Sequence, residues 1–191
     1  MSDLTIHTDE ELVGLSLEHK RYFGELVRRY EHKLGAYVRR LGQLSAEDVE
    51  DVLQNVFIKV YQNLNDFDRS LSFSSWIYRI AHNETMSFFR GRRVRPQGHK
   101  VYMTSEMFEN IASDLNVVRE SEKRYDERVV KECVAALPEA YREIVILKYF
   151  ENKSYQELSD ILALPPGTVA TRLNRAKARL RSALHTKGIT I

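Results

Sequence analysis

The chain has 191 residues, 43% hydrophobic and 29% charged, with 29 basic side chains nearly balanced by 27 acidic ones. That suits one compact domain or two small ones, each with a packed core. A single cysteine, Cys133, excludes an internal disulfide framework and a cysteine-based zinc site, and no stretch approaches the roughly 18 apolar residues of a membrane span.

The acidic start (Asp3, Asp9, Glu10, Glu11) lacks a basic or apolar leader, which predicts a soluble, cytoplasmic protein. Sparse glycine (8) and proline (4) suit a mostly helical chain. Leu26, Tyr30, Leu34, Tyr37, Val38 and Leu41 recur at three- and four-residue steps, predicting a helix that Gly42 ends. Ser45 followed by Asp48 reads as an N-cap. The helix it opens carries a wide apolar stripe of Val49, Val52, Leu53, Val56, Phe57 and Val60. After a polar loop over 63–70, a third helix over 73–92 is expected to bury Trp76, Ile77, Ile80, Ala81 and Phe88. Together these predict a three- or four-helix bundle over residues 9–95.

Residues 96–126 lack a strong pattern and read as a flexible tether with room for one short helix. A second domain is expected over 127–187. Its first helix, with Val129, Val130, Cys133, Val134 and Leu137, stops at Pro138, which suits the first turn of the next. That next helix holds Tyr141, Ile144, Val145 and Leu147. Ser154 and Glu157 fit a capping box and start a short helix with Leu158, Ile161 and Leu162 on its apolar side. Residues 163–167 form a turn, and a further helix from Thr168 places Val169, Leu173, Ala176 and Leu180 on one face.

Charge falls in blocks. Residues 73–100 carry Arg79, Arg90, Arg92, Arg93, Arg95 and Lys100 against Glu84 alone, residues 104–122 are acidic, and nothing after Asp160 is acidic. The two basic segments are either solvated helix faces or surfaces that meet phosphate. A capped short helix, a tight turn and an acid-free second helix fit a helix-turn-helix. Its second helix would enter the major groove N-terminus first, offering free N–H groups to phosphate and arginine to guanine. A plain helical hairpin with a basic face is the alternative.

In order and spacing, these motifs resemble bacterial RNA polymerase sigma factors of the extracytoplasmic-function (ECF) type. Residues 45–59 are similar to the region 2 helix that docks on core polymerase, and residues 73–83 to the adjoining helix that handles the −10 element. Residues 137–149, 154–158 and 167–177 resemble region 4, which reads the −35 element. The chain departs from the family's usual residues at Asn55, Ala170 and Asn174.

The resemblance implies an all-α protein with two small helical domains joined by a flexible tether. It implies core-polymerase contacts at Asp48, Asp51, Gln54, Asn55 and Ile58, made to the β and β′ subunits. For −10 DNA it implies Phe67, Asp68, Arg69 and Ser70 in the loop, then Arg79, His82, Asn83, Arg90 and Arg92 along the helix. Phe67 equally suits a plug against the bundle, and the spacing of Trp76 suits core better than a melting wedge. For −35 DNA it implies Ser154, Tyr155, Thr168, Ala170, Thr171, Arg172, Asn174, Arg175 and Lys177, with Arg172 and Lys177 assigned to phosphate. An anti-sigma factor is the expected regulator, with no membrane insertion, cofactor, metal site or catalytic residue. The competing classes are a dimeric helix-turn-helix regulator and a helical interaction module.

Overall fold

The computed structural model describes residues 7–42, 44–91, 105–115 and 123–189. Among the described residues the regular structure is entirely helical, in nine main helices that fall into two compact units.

The first unit is built mainly from α1 (Asp9–Glu18), α2 (Phe23–Leu41), α3 (Ala46–Gln62) and α4 (Phe73–Gly91). Helix α1 starts on a capping box: the Thr8 hydroxyl accepts from Glu11 N–H, and the Glu11 carboxylate accepts from Thr8 N–H. Asp9, Glu10 and Glu11 place three acids at its positive end. Helix α2 buries all six residues of its periodic stripe, from Leu26 to Leu41. Helix α3 opens on the Ser45–Asp48 box and buries Val49, Val52, Val56 and Val60. Leu53 and Phe57 are only half-buried, at the edge of that stripe.

Helix α4 turns a different face inward from the one its hydropathy predicts. Phe73, Ile77, Tyr78, Ala81, Thr85 and Phe89 are buried, whereas Trp76, Ile80 and Phe88 are half-buried. The buried row runs at four-residue steps through Thr85, whose hydroxyl donates to the Ala81 carbonyl at 2.7 Å. A buried hydroxyl satisfied inside its own helix carries little penalty, yet it hides the row from an apolar pattern. Phe73 sits at the centre of an aromatic cluster, its ring 5.5 Å from Tyr30, 5.6 Å from Phe67 and 5.7 Å from Trp76.

The second unit is built mainly from α5 (Ser105–Leu115), α6 (Lys123–Ala135), α7 (Glu139–Val145), α8 (Tyr155–Leu162) and α9 (Pro166–Thr186). Helix α5 lies within the stretch read as a tether. It buries Phe108, Ile111, Ala112 and Leu115. Helix α6 buries its predicted apolar residues, Cys133 among them, and burial pushes that thiol's pKa up. A buried thiol held protonated is inert filler. Buried Arg142 donates from Nη1 to the carbonyls of Leu137, at 3.0 Å, and Ala135, at 3.4 Å, closing the end of α6. Helix α7 runs on into a π-helical turn, Ile146–Phe150, buried except at Lys148.

Helix α8 carries the Ser154–Glu157 capping box and ends at Ala163, whose φ of 52° is left-handed. Helix α9 begins two residues earlier than expected. Proline at the first helical position forgoes no hydrogen bond, so Pro166 and Gly167 form its opening turn while the Pro165 carbonyl accepts from Thr168 and Val169. Val169, Leu173, Ala176, Leu180 and Leu184 are buried, which holds α9 against the unit at a four- and three-residue rhythm.

Candidate functional site

Three surfaces gather the residues singled out above. The first is a groove of about 500 Å³ between α2 and α3, lined by Val27, Glu31, Glu50, Leu53, Gln54, Phe57 and Ile58. Ile58 is 53% exposed. Gln54 and Ile58 line the groove, exposed Asp51 and Asn55 lie on the same helix outside its lining, and Asp48 is half-buried and committed to the α3 cap. Val27, Glu31 and Glu50 were not foreseen. Leu53 and Phe57, read as core, form the groove's apolar wall. The groove sets apolar Val27, Leu53, Phe57 and Ile58 between Glu31 and Glu50.

The second surface is the loop before α4 and that helix's outer side. Phe67 is 7% exposed and its ring lies 5.0 Å from Trp76 and 5.6 Å from Phe73. It therefore plugs the bundle, the alternative named for it, and offers no free stacking face. Asp68 accepts from the Ser70 N–H at 2.9 Å, and the bonds from Ser70 hold its carboxyl below the usual range. Arg69 and Ser70 are exposed. Arg79, Asn83 and Arg90 are also exposed, at spacings that keep them on one side of α4. His82 is not among them. Its Nδ1 lies 3.2 Å from the Tyr37 hydroxyl, and burial depresses its pKa to about 4. It is a neutral bundle residue at ordinary pH. Arg92 lies outside the described residues.

The third surface is built by α8 and α9. The capping box fixes the start of α8, leaving Ser154 and Tyr155 exposed, with the Lys148 ammonium 5.5 Å from the Tyr155 ring centre. At the start of α9, Thr168, Thr171, Asn174 and Arg175 are exposed, and Ala170 and Arg172 are half-exposed. The Thr171 hydroxyl donates to the Gly167 carbonyl at 2.8 Å, which orients its methyl and its lone pairs. A cleft of about 500 Å³ is formed by Ala140 and Tyr141 with Gly167, Thr168, Thr171, Arg172 and Arg175. Arg179 continues it, its guanidinium 5.0 Å from the Tyr141 ring centre. Tyr141 and Arg179 were missed by the sequence reading, though Arg179 stands one turn beyond Arg175. Lys177 points elsewhere: its ammonium pairs with Asp114 at 2.6 Å.

Beneath this surface lies Glu143, 8% exposed. Burial above all, and then Glu139, raises its carboxyl pKa to about 7, against the pull of Arg172 and Arg142. Among the described residues, no group of three or more His, Cys, Asp or Glu side chains is placed to hold a metal, and no helix is long and apolar enough to cross a membrane.

Comparison with known proteins agrees with this geometry. Residues 26–95 match the family Sigma-70 region 2, and residues 127–180 match Sigma-70, region 4. The chain is 34% identical over 187 residues to the RNA polymerase sigma-H factor of Pseudomonas aeruginosa, covering 95% of this chain and 96% of that one. It is 31% identical over 172 residues to the ECF RNA polymerase sigma factor SigW of Bacillus subtilis, covering 85% and 88%. The solved structure of CnrH in complex with the cytosolic domain of CnrY superposes with a TM-score of 0.66 at 26% identity, covering 93% of this chain and 97% of that one. With two matched regions in the same order as its two helical units, and relatives aligned over nearly its whole length, the chain belongs to the ECF RNA polymerase sigma factors.

Proposed function

We propose that this sigma factor docks on core RNA polymerase through the α2–α3 groove and directs initiation at promoters with two separate elements. Ile58, Leu53 and Phe57 supply the apolar contact, and Gln54, Asp51 and Asn55 its polar border. Arg69, Ser70, Arg79, Asn83 and Arg90 face the −10 element, where a strand leaving the duplex needs cations along its backbone and hydrogen-bonding groups at its bases. Helix α9 reads the −35 element: Thr168, Thr171, Asn174 and Arg175 face base edges, and Arg172 with Arg179 faces phosphate.

One observation carries this reading above the others. The outer face of the N-terminal half of α9 is exposed, opens on Pro166 and Gly167, bears arginines without one acid, and follows a capped α8 and a left-handed turn at Ala163. A solvated hairpin has no need of that combination. The chain works in the cytoplasm, where polymerase is, and catalyses no reaction itself; the chemistry belongs to the polymerase. An anti-sigma partner controls it, a reading that rests on the family resemblance and accords with CnrH having been solved with a bound protein domain.

Size-exclusion chromatography with purified bacterial core polymerase tests the reading. One co-eluting complex that protects an asymmetric two-part site is expected. A chain that ignores core polymerase, dimerises and protects a palindrome by itself overturns it.

A further inference from the structure

Helix α5 belongs to the DNA-binding unit, and it reaches α9. Phe108, Ile111, Ala112 and Leu115 are at most 4% exposed, so one whole face of α5 is buried beside α6 and the π-helical turn. That docking sets Asp114 where its carboxylate accepts from the Tyr149 hydroxyl and from the Lys177 ammonium, the latter at 2.6 Å. The Lys177 side chain is 18% exposed. Burial opposes ionisation of Asp114, but the bonds from Lys177 and Tyr149 hold its pKa below the usual value.

Its position on α9 gives this pair a consequence. At about 100° per residue, Lys177 stands roughly 200° around the helix from Arg175. Arg172 and Arg175 line the cleft with Tyr141, on the other flank. Arg172 and Arg175 therefore lie on the cleft flank of α9, whereas Lys177 on the opposite flank is paired with the chain's own α5. Phosphate attraction is independent of sequence, so each cation removed from the DNA-facing set weakens binding about equally at every sequence and makes it less steep in salt.

We propose that Asp114 sets how strongly α9 engages DNA: by pairing with Lys177 it withdraws one cation from the helix's contact with phosphate. This rests on the reading of α9 as the helix that meets DNA. Lys177, which the sequence suggested as a phosphate contact, is then an internal clamp.

The test uses the full-length chain and a short, fluorescent, random-sequence DNA duplex, with affinity measured across a salt series. Lys177→Ala should leave the slope of log affinity against log salt where the wild type has it. Asp114→Asn should steepen that slope by about 0.9, the increment for one phosphate engaged, and tighten binding severalfold at low salt. The double variant should return to the wild-type slope, which mere loosening of α5 would not produce. Tyr149→Phe, which keeps the ion pair, should leave the slope unchanged. Arg172→Ala, at a residue read as a phosphate contact, serves as the reference and should lower the slope by about one. A lowered slope for Lys177→Ala alone overturns the proposal, as does an unchanged slope for Asp114→Asn with unchanged helical circular dichroism. If Arg172→Ala also changes nothing, the reading of α9 as a DNA-binding helix fails and the proposal falls with it.

Discussion

The Tyr37 hydroxyl and His82 Nδ1 face each other at 3.2 Å between α2 and α4, and burial keeps the imidazole neutral with a pKa of about 4. The unfolded chain takes up this proton near pH 6.5, before the folded one does. Stability of the first unit is therefore complete above about pH 6.5 and declines as pH falls toward 4, by at most about 3 kcal/mol. Trp76, the only tryptophan, sits in α4 and reports on this unit alone. Melting followed by its fluorescence should show the loss on acidification. His82→Gln should flatten the profile and leave −10 discrimination unchanged.

Glu143 in the second unit has the opposite sign. Its folded pKa of about 7 lies above the ordinary 4.5, so the stability it contributes is present in acid and is lost as pH rises from 4.5 through 7. Glu143→Gln should remove that slope. Circular dichroism melts of the wild type and of this variant, compared between pH 5 and 8, should differ most at the alkaline end, where the wild type buries a charge.

Ile58→Glu should separate polymerase binding from folding. An exposed residue changed on a helix surface shifts stability within about 0.5 kcal/mol. A charge against the apolar wall of Leu53 and Phe57 should weaken core-polymerase binding at least tenfold, about 1.4 kcal/mol. Binding of the free chain to DNA should stay as it is. Equilibrium titration of labelled variant with core enzyme checks the first expectation, and a DNA titration the second.

Gly14 lies inside α1, where glycine costs about 1 kcal/mol relative to alanine. A Cβ there would come within 2.5 Å of Arg69 Nη1, so the bare helix surface seats the Arg69 guanidinium. The opposing atom ends a flexible side chain, so Gly14→Ala should fold and melt no lower than wild type. Arg69 should be displaced, and promoter opening by the holoenzyme should slow. An opening rate equal to wild type would show that Arg69 needs no such seat.

Much of this was legible in the sequence where hydropathy and capping act together. The α2 stripe, the Ser45 N-cap, the Ser154–Glu157 box and the apolar side of α9 all stand where their spacing put them. The Thr8–Glu11 box gave the same signal for α1 and went unread. Other features depended on tertiary context. Thr85 hid the true inner face of α4, and Phe67 and His82 carry DNA-like chemistry but are consumed by the bundle. Lys177 has the residue type of a phosphate contact, and only the placement of Asp114, sixty-three residues earlier, turns it away.

The central claim is tested most directly by single-round transcription with purified core polymerase on a promoter library, with and without this protein. The account predicts start sites that appear only with the protein, each preceded by a shared pair of elements. The upstream element should lose its sequence preference in Arg175→Ala. Core polymerase that gains no start sites, while the chain alone selects palindromic DNA, would contradict it.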